Sequence, residues 1–182
     1  MKPLSTKIRS MNRLAQARAH SVRHGNLIGV LFAASLLVIA PLSQAASCTI
    51  DSVSNLNFGS YDPFASTALD MATTASITCT STKHSETVTV RISLGTGSAL
   101  SYTPTRKMQG PGDTLNYNLY VDAAHNQILG DGTGGTSPDS GSATISKTNP
   151  FTFIETIYGR IIAGQDPAVG SYSDPIVYTV NF

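Results

Sequence analysis

The sequence contains no tryptophan and only two cysteines. Antibody-type domains pack a tryptophan against a bridge between facing inner strands, so the first absence removes one of their marks. Histidine is also scarce beyond the N-terminal region, where only His84 and His125 remain. Both stand in polar turn contexts, KHSE and AAHNQ, and are expected to be surface loop histidines. Neither belongs to a triad-like arrangement or a metal-ligand spacing. No stretch carries apolar residues at helical spacing over a useful length, and neither an internal repeat nor a domain linker is evident. A hydrolase therefore has almost no residue support, and no cofactor is expected. Gly130, Gly132 and Gly135 do spell GxGxxG. They lie in a low-complexity tract with no helix after it to hold a phosphate, so a nucleotide site is not expected there. Asp131 and Asp139 lack the ligand spacing of a calcium loop, and no metal is expected.

Acids are missing from residues 1–26, which carry Lys2, Lys7, Arg9, Arg13, Arg18 and Arg23. Leu27 to Ala40, LIGVLFAASLLVIA, is uncharged, and PLSQAA follows with Ser43 and Ala45 at the −3 and −1 positions of a cut. This is the pattern of a secretory signal peptide, residues 1–45, and the apolar run is short of the ~20 residues that span a bilayer. No stable membrane insertion is expected after cleavage. Residues 46–182 keep 6 of the 12 basic residues and all 11 acids, a net charge of −5. A mildly acidic chain without a basic stripe argues against nucleic acid or an anionic membrane surface as partner. At this length it forms one domain with one modest core.

Both cysteines, Cys48 and Cys79, fall in the exported part. An even count in an oxidising compartment favours a disulfide over two free buried thiols. Closing a loop of about 30 residues would stabilise the fold by roughly 3–4 kcal/mol in the chain-entropy account. Period-two alternation recurs along residues 46–182. In VTVRISL, Val88, Val90, Ile92 and Leu94 alternate with Thr89, Arg91 and Ser93. In LNYNLYV, Leu115, Tyr117, Leu119 and Val121 do the same, and Leu69, Met71, Ala75, Ile77 and Cys79 share a parity upstream. PFTFIETIYGRI adds Phe151, Phe153 and Ile157, and SDPIVYTVNF ends the sequence with Ile176, Tyr178, Val180 and Phe182 on one face. Turn clusters punctuate these runs at YDP, GTGS, QGPGD and the long GDGTGGTSPDSGS from Gly130 to Ser142. About six short strands between turns read as an all-β, immunoglobulin-like sandwich. Tyr102, Tyr117, Tyr120, Tyr158, Tyr172 and Tyr178 are expected mainly at core edges, with a carbohydrate- or partner-binding surface as the alternative.

The order of CTIDSVSNLNFGSYDP, ITC, RKM followed by LNYNLYVD, YGRIIAGQ and GSYSDPIVYTVNF resembles the spore coat protein U domain family, over essentially all of residues 48–182. That family includes subunits of archaic chaperone–usher pili. The resemblance carries over Cys48 and Cys79 as a disulfide, and Phe58, Gly59 and Tyr61 as the first-strand signature. It also carries over Arg106 and Met108 before the tyrosine-rich strand, Gly170 and Tyr172 before the last strand, and the terminal Val180, Asn181 and Phe182.

The resemblance implies an incomplete immunoglobulin-like sandwich that lacks its final strand and is completed by a donor strand from a partner. Implied partners are a periplasmic chaperone, an outer-membrane usher and other pilus or coat subunits, with export through the periplasm to the cell surface. A last strand with no following segment to cover it fits that picture, because an uncovered edge over an open core invites pairing with another chain. Ile176, Tyr178, Val180 and Phe182 are expected to border the acceptor groove, with the first strand on its other side. One departure stands out. Polymerising members carry a donor segment before the first cysteine, whereas cleavage after Ala45 leaves only Ala46 and Ser47. Such a chain accepts a strand without donating one, which suits a terminal or tip subunit, or a coat protein assembled otherwise. The alternative function is a self-contained secreted domain that binds carbohydrate or a surface.

Overall fold

The computed structural model describes residues 4–6, 8–10, 46–103 and 105–182. The apolar run Leu27–Ala40 and the expected cleavage point lie outside the described residues. Eleven strands are present among them and no helix: β1 (Leu4–Thr6), β2 (Ile8–Ser10), β3 (Ser47–Val53), β4 (Leu56–Gly59), β5 (Leu69–Thr80), β6 (Glu86–Leu94), β7 (Arg106–Gln109), β8 (Thr114–Tyr120), β9 (Asp139–Ile145), β10 (Phe151–Ile161) and β11 (Ile176–Asn181). Five of them form one sheet in the order β3-β5-β10-β8-β7, four form a second in the order β2-β11-β6-β9, and β1 pairs with β4. All pairings are antiparallel except β2 with β11.

The alternation of β6 dictates its placement. Val88, Val90, Ile92 and Leu94 are buried, while Thr87, Thr89 and Arg91 face solvent. Facing them across the interior are Ala75, Ile77 and Cys79 of β5, Leu115, Tyr117 and Leu119 of β8, and Ile157 and Ile161 of β10, all within one core cluster. Each fully buried aliphatic or aromatic side chain of this kind stabilises the fold by about 1.5–3 kcal/mol, so the two-sheet sandwich follows from the period-two pattern.

Cys48 and Cys79 sit opposite one another on β3 and β5 and are disulfide-bonded. The bridge therefore joins neighbours in one sheet. Cys79 is fully buried and Cys48 half-buried.

Several sequence expectations need correction. The tract from Gly130 to Ser142 is not loop throughout, because its last residues open β9, which pairs with β6 from Ile92↔Asp139 to Glu86↔Ile145. Met71 shares the inward parity of β5 yet is exposed, lying near the strand's open end. Phe182 lies beyond β11 and is 61% exposed, so it does not join Ile176 and Tyr178 in the core. His125 is not a solvated loop residue, since its side chain is 7% exposed. Its backbone turns through φ 59° while Asp122 accepts hydrogen bonds from the Asn126 and Gln127 N–H groups. That turn lays the imidazole edge-on against Tyr120, with Nε2 at 3.8 Å from Asp70 Oδ1.

Candidate functional site

The edge of β11 away from β6 and the edge of β4 are the places where the sandwich meets strands from far upstream. β11 is held on one side by β6, through Tyr178↔Leu94, Val180↔Ile92 and Asn181↔Arg91, and by the Gly95 N–H donated to the Val177 carbonyl. Its other side pairs with β2, in the register Ile176↔Ile8, Val177↔Arg9 and Tyr178↔Ser10. β4 pairs with β1, through Ser5↔Asn57 and Thr6↔Leu56. Residues 4–6 thus lie along the edge of β4, and residues 8–10 along the edge of β11. Their sequence, LSTKIRS, alternates Leu4, Thr6 and Ile8 with Ser5, Lys7 and Arg9. Thr179 to Asn181 lie past the last β2 pairing.

The residues around these edges are positioned from the core outward. Ile176 and Tyr178 are fully buried, Val180 is partly buried and Val177 is turned outward. On β4, Leu56 and Phe58 are buried against β10 at Gly159, where any Cβ would collide with both side chains. A glycine two residues before the end of an eleven-residue strand is therefore what lets β4 sit down on the sheet. Gly59 ends β4 at φ 74°, a conformation that favours glycine. Tyr61 then pins the following loop, donating its hydroxyl hydrogen to the Ile162 carbonyl and accepting the Gln165 N–H.

The remaining signature residues build the frame behind β11. Arg106 is completely buried and donates from Nε to the Gly95 carbonyl at 3.3 Å, from Nη1 to Asn118 Oδ1 at 3.1 Å and from Nη2 to the Leu129 carbonyl at 2.6 Å. Its guanidinium also lies 4.9 Å from the Tyr102 ring centroid, and burial pulls its pKa below the usual arginine value. Met108 is buried two residues on. Tyr172 donates to the Ala168 carbonyl and lies over Gly110, while Gly170 leaves room for Pro111.

Two buried carboxylates escaped the sequence pattern. Asp174, just before β11, accepts the Ser98 N–H at 2.6 Å and the Tyr117 hydroxyl at 2.8 Å. Glu155 of β10 accepts the Tyr178 hydroxyl of β11 at 2.8 Å through Oε2, and Oε1 is buried without a hydrogen-bond partner in the structure. Burial pushes the Glu155 carboxyl up to about 7, with Tyr178 opposing the shift and Asp139 adding to it. The signal for Glu155 was present, because it shares the parity of Phe151, Phe153 and Ile157. Nothing in the pattern marks Asp174.

Chemically, the arrangement offers backbone groups and an apolar border rather than a reaction centre. Among the described residues, no three His, Cys, Asp or Glu side chains come together to hold a metal. His84 and His125 lie on different turns, and the GxGxxG stretch is a turn between bridges at Leu129 and Ser137, with no helix following it among the described residues.

Comparison with known proteins bears on the family. Protein U of Myxococcus xanthus is 28% identical over 189 aligned positions, which cover 94% of this chain and all of that protein. Among solved structures, the CsuC–CsuE chaperone–tip adhesion subunit pre-assembly complex from archaic chaperone-usher Csu pili of Acinetobacter baumannii matches with a TM-score of 0.44 and 19% identity. That match covers 76% of this chain and 40% of the other, so the chain spans less than half the length of its structural neighbour. The Spore Coat Protein U domain profile matches residues 33–179, starting inside the apolar run. With most of its length matched by that profile, the chain belongs to the Spore Coat Protein U domain family.

Proposed function

We propose that the protein is a non-enzymatic subunit of a surface fibre or coat, exported through the periplasm and assembled by the chaperone–usher route. In this reading residues 1–45 are a cleaved signal peptide, and residues 46–182 take a strand from another chain alongside β11. The observation that carries the proposal is the pairing of β4 with residues 4–6 and of the side of β11 away from β6 with residues 8–10. Once the leader is removed, both edges lose those partners together. Backbone donors and acceptors left over a core are then free to pair with a chaperone or a subunit. Ile176, Tyr178 and Val180 form the apolar border of the acceptor groove, and Leu56 and Phe58 form its opposite border.

With Ala46 and Ser47 alone before Cys48, the processed subunit accepts a strand without supplying one, which suits a terminal position. Co-expression of residues 46–182 with candidate periplasmic chaperones tests the proposal. A stable one-to-one complex is expected, from which alternating apolar peptides displace the chaperone while raising the melting temperature. A monomer that is soluble and heat-resistant without chaperone or peptide would overturn it.

A further inference from the structure

An open sheet ends in strands whose outer backbone groups lack a ladder partner, and β9 is such an end, on the side of its sheet away from β2. We propose that the free edge of β9 is a lateral contact for a second copy of this chain, paired antiparallel about Ala143. Its seven residues run beside β6 from Glu86↔Ile145 to Ile92↔Asp139 with no register shift. No described strand pairs with its other side. Natural sheets blunt such an edge with a bulge, a short strand, a proline or a charge in the strand interior. On the other sheet, β3 has a register shift between Ile50 and Ser52 with Asp51 exposed, and β7 is four residues long with Lys107 exposed. From Ser140 to Ile145, β9 has none of these devices.

Charge complementarity selects a second copy and its register. When two identical strands pair antiparallel about a twofold axis, the choice of axis sets every opposed pair. With the axis at Ala143, Asp139 falls opposite Lys147 of the second copy, and Lys147 opposite Asp139 of the second copy. Neither residue forms a salt bridge among the described residues. Asp139 Oδ1 accepts the Ser140 N–H, which holds the carboxylate at the head of the strand. Lys147 is exposed, and its N–H donates to the Lys83 carbonyl, which keeps it on the line of the ladder two residues past β9. Opposite charges directly across a strand pair attract, and like charges repel. Moving the axis to Ser142 or Thr144 sets Asp139 against Ile145 or Asn149 and removes both ion pairs.

The remaining contacts suit close approach of two backbones. On the solvent face Ser142 meets Thr144 of the second copy, a hydroxyl pair of the kind that stabilises neighbouring strands. On the other face Ala143 meets its own equivalent, and Ile145 of the second copy falls opposite Gly141, which has no side chain to obstruct it. Gly141 is held to that form from within, because the Phe153 ring occupies the space a Cβ would need. Pairing of this kind continues the four-stranded sheet of one copy into that of the other. It leaves β11 untouched, since β9 and β2 bound the sheet on opposite sides. The contact is therefore separate from the acceptor groove and does not depend on it.

The test is sedimentation equilibrium of the full chain at low salt, alongside Asp139→Lys, Lys147→Asp and the variant carrying both changes. The unaltered chain is expected to form a dimer. Each single reversal sets like charges together at both ends of the contact and should weaken association roughly tenfold, while the double exchange restores it. Cysteine substitution checks the register, because the two native cysteines are bonded to each other and an introduced thiol stands alone. Under mild oxidation Ala143→Cys should link two copies, since position 143 faces itself. Ser140→Cys should not, because position 140 faces 146 and its two thiols lie about 20 Å apart along the strands. A monomeric unaltered chain, equal association in all four proteins, or cross-linking through position 140 as readily as through 143 would each overturn the pairing. The charge exchange decides the matter even if Ala143→Cys does not fold.

Discussion

A guanidinium with no exposed surface has to find its acceptors inside the protein, and Arg106 finds three on three different segments. Truncation to alanine would leave the Gly95 and Leu129 carbonyls without that donor and open a cavity. The expected loss is about 3–5 kcal/mol, read from the urea midpoint. Arg106→Lys should recover little of it, because one ammonium cannot reach three separated acceptors as a planar fork does. The family resemblance located Arg106, but its burial was not legible: the RKM stretch is flanked by polar residues, and a charge is ordinarily placed outside. His125 failed for the opposite reason. A polar turn context said surface, whereas a backbone turned through positive φ folds the ring back onto Tyr120. Glu155 could have been found, since a carboxylate on the dry parity of a strand is itself an anomaly.

At the scale of elements, alternation identified the strands that have one face in the core. β6, the start of β10 and β11 were legible for that reason. β9 was not, because DSGSATI is an edge strand whose side chains are small and polar, and its stability comes from the ladder with β6. β7 is four residues long, too short for a period to show. Contact between elements is where single residues matter most. Gly159→Ala would push a methyl group into Leu56 and Phe58, lifting β4 away from β10. We expect a cost of about 1–3 kcal/mol and faster amide exchange in β4 than in β5. Replacing both Cys48 and Cys79 by serine frees β3 from β5. The unfolding free energy measured in urea should fall by roughly 3 kcal/mol, with β3 the first strand to lose exchange protection.

For the whole molecule, the decisive comparison is between the full chain and residues 46–182. Removing residues 1–45 should raise exchange in β4 and in β11 while leaving β5 and β10 protected, and it should promote self-association that grows with concentration. Equal exchange in the two forms would show that residues 4–10 contribute nothing to the fold. The disulfide has a mechanical corollary. Its two ends lie in adjacent strands of the same layer, and the sequence holds no other cysteine. Apart from the turns of the backbone, no covalent cross-link therefore fastens one layer of the sandwich to the other. A pulling force that grips the molecule by β11 on one side and β5 on the other would load the packed interface between the layers rather than the sulfur bond. The layers would shear apart with the sulfur bond still intact, so reducing agent should leave the rupture force of the pulled subunit nearly unchanged.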